Sequence, residues 1–152
     1  MSTLSWFRAI QVPRSPFSIT DLADVRVAEG NSDLEPGELI KNWVSAFNRG
    51  DADALAELYA EDAVNHQVVR DPVVGRDAIR EMFAREFDRA TMVCRIENIF
   101  QDGDWAILEW IDPKGLRGCG FFKVVDDKIV FQRGYFDELS FLRQQGLPFP
   151  TD

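Results

Sequence analysis

The sequence contains little that could bind a metal ion or form a disulfide framework. It has one histidine, His66, and two cysteines, Cys94 and Cys119, at no spacing that a zinc site uses. A disulfide scaffold needs more cysteines in a shorter chain, so we expect two unpaired thiols and a reducing compartment, the cytoplasm. A Ser–His or Cys–His catalytic pair would have to use His66, and no nucleophile-elbow motif accompanies it. These shortages argue against a metal centre and against a hydrolase with such a pair.

Basic charge and long apolar runs are also scarce. Lys and Arg number 17 against 26 Asp and Glu, which gives a net charge of −9. No basic run alternates with aromatics, so we expect neither nucleic acid nor an anionic membrane surface as a partner. Arg8 and Arg14 interrupt the N-terminal segment, which therefore predicts no signal peptide and no membrane span. The glycine-rich stretch 115–120 leads into a predicted strand and not a helix, so we expect no phosphate-binding loop and no cofactor.

Aromatic residues, in contrast, are plentiful. Twelve Phe and four Trp in 152 residues supply enough rings to line a cavity inside one domain. We divide the chain into an N-terminal arm, residues 1–34, and a folded domain, residues 35–152. The arm is polar and interrupted by prolines, and either docks on the domain or a partner subunit or is disordered.

The first half of the domain has helical spacing. Apolar residues from Leu39 to Phe47 recur at three- and four-residue steps, which predicts a helix that begins at Pro36 and ends before Gly50. Asp51 is expected to cap a second short helix that includes Leu58 and Tyr59. A short strand over 63–69 and a third helix beginning at 75–77 follow.

The second half changes to the two-residue period of strands. Four extended runs are separated by Asp-, Gly- and Pro-containing turns, at 92–100, 105–111, 118–125 and 128–136. A final helix is predicted over 138–145. The short links require antiparallel hairpins, so we expect an α+β fold in which three N-terminal helices pack on a curved, mostly antiparallel sheet.

Two carboxylates near aromatic residues are the best candidates for catalysis. Trp110 and Asp112 share one face of a predicted strand, and Tyr135 and Asp137 share one face of another. If both faces point inward, the two acids meet in a cavity lined by rings, where burial raises at least one pKa. A carboxylic acid beside a carboxylate is suited to general acid/base chemistry on a neutral molecule.

Each candidate also has a purely structural interpretation. Asp112 begins a sequence typical of a type I turn, Asp-Pro-Lys-Gly. Asp137 precedes the final helix and has the chemistry of an N-cap. His66 lies on a short strand and faces either the cavity or solvent. The aromatic candidates for the cavity wall are equally suited to the core: Trp43, Phe47 and Phe83.

Four short motifs, in order and at the right spacing, resemble the SnoaL-like branch of the NTF2-like superfamily. They are Phe47–Asp51, Leu58–Ala63, Gly75–Ile79 and Tyr135–Asp137, within a similarity that runs from about residue 36 to 147. The resemblance implies a cone of three helices against a curved sheet, commonly dimeric, with a pocket inside. The family includes polyketide cyclases, ketosteroid isomerases and limonene epoxide hydrolase, and also members without known catalysis, so it implies a location for the site but not a reaction.

The family's catalytic residues match this chain only in part. Asp112 and Asp137 stand where limonene epoxide hydrolase has its two acids, but Trp110 occupies the arginine's position. Asn65 and Gln67 occupy the positions of its water-holding Tyr and Asn, and Gln67 also replaces the proton-shuttling Asp of ketosteroid isomerase. The cyclases place an acid/base residue where Asp137 stands, which makes proton-transfer chemistry of that kind the best match.

Two hypotheses follow. In the first, the protein is an enzyme acting without cofactor on an apolar, oxygenated molecule by cyclisation, isomerisation or epoxide hydration. Asp137 would be its acid/base residue and Asp112 the partner, with the remaining candidates holding the substrate: Asn65, His66, Gln67, Trp110, Tyr135. In the second, the same fold is a ligand-binding or association domain without catalysis. The paired acids tip the balance to the enzyme, and exposed strand residues such as Phe121 and Phe131 predict a homodimer through the outer face of the sheet.

Overall fold

The protein was studied as a computed structural model, which describes residues 34–150. The predicted arm at 1–34 lies outside the described residues except for Leu34, so its role stays a prediction. The elements in chain order are α1 (Pro36–Asn48), α2 (Ala52–Ala56), β1 (Tyr59–Gln67), β2 (Val73–Val74), α3 (Arg76–Arg89), β3 (Arg95–Asp102), β4 (Trp105–Ile111), β5 (Arg117–Val125), β6 (Lys128–Phe136) and α4 (Glu138–Gln145). No helix in this range is long and apolar enough to cross a membrane.

The helix ends follow from the local sequence. Pro36 occupies the first turn of α1, where its missing N–H costs nothing. The carboxylate of Asp51 accepts a hydrogen bond from Ala54 N at 2.9 Å and so caps α2 as predicted. Gly146 ends α4 in a left-handed conformation, φ 66°, that glycine adopts without strain.

One six-stranded sheet has the order β2-β1-β6-β5-β4-β3. The links between β3, β4, β5 and β6 are antiparallel hairpins, as the short turns predicted. The exception is the pair of β1 and β6, which run parallel because the chain leaves β1 through α3 before it returns. This pairing places Asn65 directly beside Gln132.

The structure corrects several predicted boundaries. Leu58 and Tyr59 are not helical, because α2 ends at Ala56 and the backbone of Tyr59 pairs with Ile129 in the sheet. Strand β3 begins at Arg95 and not at residue 92, and the two-residue strand β2 was not predicted. The sheet tolerates such short elements because tertiary pairing outweighs local propensity.

Two clusters of apolar residues leave a space between them. The larger lies between α1, α3 and the inner face of the sheet, where Trp43 stacks on Phe47 with ring centroids 5.0 Å apart. The smaller is centred on Leu116, Phe141 and Leu142 and holds α4 against the sheet. Trp110 packs against both clusters, so it borders the space between them.

Candidate functional site

The space between the helices and the sheet is a cavity of about 300 Å³. Its apolar wall is formed largely by Trp43, Phe47, Met82, Phe83, Leu108 and Trp110. The wall residues come from α1, α3 and β4, the elements whose apolar stripes face one another. A cavity of this size and lining is typical of a site for a small organic molecule.

The floor of the cavity is a hydrogen-bonded chain of uncharged side chains, here called the floor network: Trp43, Tyr59, Gln132, Asn65 and Gln67. Trp43 Nε1 donates to the Tyr59 hydroxyl at 2.8 Å, and that hydroxyl donates to Gln132 Oε1. Asn65 Nδ2 also donates to Gln132 Oε1, at 2.8 Å, and Gln67 Nε2 donates to Asn65 Oδ1, at 2.9 Å. Asn65 and Gln132 are 1% and 4% exposed, so these bonds are made away from bulk water.

The floor network stays neutral. Burial raises the pKa of Tyr59 well above its ordinary value, although the hydrogen bonds that its hydroxyl accepts from Trp43 Nε1 and, at 3.5 Å, from Asn65 Nδ2 act in the opposite direction. The amides of the other members do not titrate. A ligand that reaches this floor therefore meets dipoles and no formal charge.

Charged side chains also border the cavity. Arg70 borders the cavity and bonds Glu86 on α3 at 2.6 Å and Glu138 on α4 at 3.2 Å. Burial opposes the charge of Arg70, but these two carboxylates raise its pKa overall. The three side chains tie the ends of α3 and α4 together beside the cavity.

Asp137 does not point into the cavity, so the predicted acid/base position is wrong. Its carboxylate is exposed and accepts hydrogen bonds from Leu139 N at 3.1 Å, from Ser140 N at 3.3 Å and from the Ser140 hydroxyl at 2.6 Å. The Ser140 bonds, followed by that from Leu139 and the charge of Arg143, lower the pKa of Asp137. Asp137 is therefore a helix cap with a lowered pKa. The predicted acid/base role needed a buried carboxyl group with a raised pKa.

Asp112 borders the cavity but is also the turn residue that its sequence suggested. Its Oδ1 accepts hydrogen bonds from Lys114 N and Leu116 N, both at 2.8 Å, in the β4–β5 hairpin. Because Asp137 caps a helix outside the cavity, the two acids are not brought together as a catalytic pair.

The inner face of β6 is the reverse of the one predicted. Gln132, Gly134 and Phe136 border the cavity, whereas the Arg133 guanidinium lies over the Phe131 ring at 5.0 Å on the other face. The register of β5 and β6 shifts near Val130, and one extra residue moves every following side chain to the opposite face.

One substrate-binding candidate, His66, lies away from the cavity, and another, Tyr135, borders it with a ring that lies on the outer face. His66 pairs with Arg133 across β1 and β6 and does not border the cavity. Tyr135 borders it, but its ring packs edge-on against Phe121 on the outer face and is 41% exposed.

Eight of the ten predicted site residues border the cavity: Trp43, Phe47, Asn65, Gln67, Phe83, Trp110, Asp112 and Tyr135. Gln132, the centre of the floor network, was missed. The only feature of the sequence that could have identified it was a polar amide at a buried position of strand β6, between aromatic and basic residues that face outward.

The comparisons with known proteins agree with this architecture. The family model of the SnoaL-like domain matches residues 40–132. The chain belongs to the SnoaL-like family. No curated protein matches the sequence.

Solved structures support the fold. A hypothetical protein with a ketosteroid isomerase-like fold from Catenulispora acidiphila, in complex with trimethylamine, has a TM-score of 0.67 at 21% identity, over 76% of this chain and 96% of that one. An LEH-like epoxide hydrolase from M. tuberculosis has a TM-score of 0.61 at 22% identity, over 71% and 86%. SalBIII, an epoxide hydrolase/cyclase-like enzyme of pyran ring formation in the polyether salinomycin, has a TM-score of 0.60 at 22% identity, over 68% and 92%. At these identities the similarity shows the fold, and the predicted NTF2-like α+β class is confirmed.

Proposed function

We propose that this SnoaL-like protein binds a small, uncharged and mostly apolar molecule in the cavity. The observation that carries the proposal is the combination of an aromatic wall with a floor of neutral hydrogen-bonding groups. An anionic or cationic ligand would lose its hydration at this floor without gaining a counter-charge, which is costly in a buried site. Apolar surface, by contrast, gains about 25 cal/mol per Å² when it leaves water.

Two probes of the same size test this proposal. Uncharged 2-ethylnaphthalene should bind and raise the melting temperature, whereas anionic 2-naphthoate should do neither. Met82→Trp, which fills the wall, should abolish binding. Val74→Trp is the matched control, because Val74 is 63% exposed and does not border the cavity. Equal binding of both probes, or binding that survives Met82→Trp, would reject the proposal.

Acid/base catalysis is a second candidate, supported by the one predicted carboxylate that borders the cavity, Asp112. The cyclase and epoxide hydrolase relatives make cyclisation or epoxide hydration the reactions to assay. Asp112→Asn keeps the Oδ1 that accepts two backbone bonds, so the hairpin should persist. Turnover should fall by about 10²–10⁴-fold if the carboxyl transfers a proton. Unchanged turnover would leave binding as the function.

A homodimer through the outer face of the sheet and a cytoplasmic location complete the proposal. The outer face carries Trp105 against Phe131 and Phe121 against Tyr135, aromatic pairs that a second copy would cover. Sedimentation at micromolar concentration should give twice the mass of 17.3 kDa. A monomer under those conditions would reject the dimer without affecting the ligand proposal.

A further inference from the structure

The floor network leaves one buried donor without a partner. Gln132 Oε1 accepts from both the Tyr59 hydroxyl and Asn65 Nδ2, but Gln132 Nε2 donates to no side chain or backbone oxygen among residues 34–150. Among residues 34–150, the side-chain nitrogen and oxygen atoms that are fully enclosed and have no hydrogen-bond partner are Arg133 Nε and Gln144 Oε1. Gln132 Nε2 also has no partner but is not one of these atoms. It is therefore not fully enclosed and is in contact with open space. Gln132 is 4% exposed and borders the cavity, which is therefore the space that its amide nitrogen meets.

The orientation of this amide follows from Trp43. An indole N–H only donates, so the Tyr59 hydroxyl must accept from Trp43 and is left to donate its own hydrogen. Its close acceptor is Gln132 Oε1. If the Gln132 amide were reversed, the Tyr59 hydrogen would lose that acceptor, and a buried unmade hydrogen bond is costly.

The remaining bonds point the same way. Because Gln132 Oε1 is the acceptor, Asn65 presents its Nδ2 there and turns its Oδ1 toward Gln67, which donates from Nε2. Gly134 makes room for this arrangement, since a Cβ at that position would lie 2.0 Å from Gln67 Oε1. One donor-only side chain thus sets the direction of every bond along the floor.

We infer that Gln132 Nε2 donates a hydrogen bond to a carbonyl oxygen of the bound ligand. This inference rests on the proposed binding function and narrows its ligand class to uncharged ketone-like molecules whose carbonyl end reaches the floor. The aromatic wall contacts the hydrocarbon part of the ligand, and the Gln132 amide donates a hydrogen bond to its carbonyl oxygen. A hydrocarbon of the same shape leaves the donor unpaired, which lowers affinity by about tenfold.

Equilibrium dialysis of the unaltered protein tests the inference with 2-acetylnaphthalene and 2-ethylnaphthalene, which differ by a carbonyl oxygen. The ketone should bind about tenfold more tightly. In heteronuclear NMR, the side-chain amide protons of Gln132 should move downfield with the ketone and not with the hydrocarbon.

Two variants assign the preference to Gln132. Gln132→Met removes the amide and should bind both probes equally. Gln132→Glu retains an oxygen for Tyr59 and Asn65 but replaces the nitrogen donor, so the ketone preference should also disappear when the carboxyl is ionised. Gln144→Met is the matched control, because Gln144 does not border the cavity, and its ketone preference should be unchanged.

The outcomes separate the two proposals. Equal affinity of both probes for the unaltered protein would overturn this inference while the binding function stood. A ketone preference that persists in Gln132→Met and Gln132→Glu would overturn it too. Failure of both probes to bind would overturn the binding function and this inference with it.

Discussion

Replacing Tyr59 by phenylalanine removes the hydroxyl that joins Trp43 to Gln132 in the floor network. Tyr59 is fully buried, and its hydroxyl accepts from Trp43 Nε1 at 2.8 Å and donates to Gln132 Oε1. The phenyl ring of the variant keeps the packing, so the perturbation is confined to these bonds. Gln132 Oε1 keeps its bond from Asn65 Nδ2, but Trp43 Nε1 is left as a buried donor without a partner.

The expected loss in the free energy of unfolding is about 2–4 kcal/mol. One net hydrogen bond contributes about 1 kcal/mol, and a buried donor left unsatisfied costs about 1–3 kcal/mol more. Urea denaturation measures the difference. Tyr135→Phe is a matched control, because the sequence has two tyrosines and Tyr135 is 41% exposed with no hydroxyl bond inside the described range. The control should change the free energy of unfolding by less than about 0.5 kcal/mol.

The same variant has a signature in its pH dependence. Burial raises the pKa of Tyr59 in the folded state above the ordinary tyrosine value of about 10, so neutral Tyr59 contributes its full stability below about pH 10. As the pH rises above it, the unfolded chain releases the proton and the folded protein does not. The stability difference between the unaltered protein and Tyr59→Phe should then shrink by about 1.4 kcal/mol per pH unit. Loss of stability no larger than in Tyr135→Phe, or a difference that is constant with pH, would refute the buried network.

Three further predictions follow. Gly134→Ala places a Cβ against Gln67 Oε1. It should therefore lower the free energy of unfolding by about 1 kcal/mol more in the unaltered protein than in a protein that already carries Gln67→Ala. An equal loss in both backgrounds would contradict the contact. Asp137→Ala should lower the melting temperature, Asp137→Asn should lower it less, and a loss of 2-ethylnaphthalene binding in either would contradict the helix-cap role. Cys94 and Cys119 should both titrate as free thiols after denaturation, and native Cys94 should react slowly because burial raises its pKa to about 12; fewer than two thiols would indicate a disulfide.

Most of the fold follows from features that are local in sequence. The apolar stripe of α1, the Asp51 cap and the hairpin turns each depend on a few neighbouring residues. For that reason β4, β6 and α4 have the bounds that the sequence predicts. The parallel pairing of β1 with β6 depends on residues far apart in the chain, and no local pattern contains it.

The candidate site was predictable where the strands are regular. Asn65 and Gln67 alternate with His66 along β1, and their period-two spacing places both amides on one face. Gln132 was missed because the prediction placed Tyr135 and Asp137 on the inner face of β6, and Gln132 lies on the face that alternates with theirs. Asp137 fits a strand end and a helix cap equally well by sequence, and the direction of α4 decides between them.

Diffraction from crystals grown with 2-acetylnaphthalene would show directly whether the cavity binds this ketone and which atom its carbonyl oxygen contacts. We expect the naphthalene rings to lie between Trp43, Phe83 and Trp110, with the carbonyl oxygen about 2.9 Å from Gln132 Nε2. A cavity filled by the protein's own aromatic side chains, or a probe bound elsewhere on the molecule, would contradict this expectation.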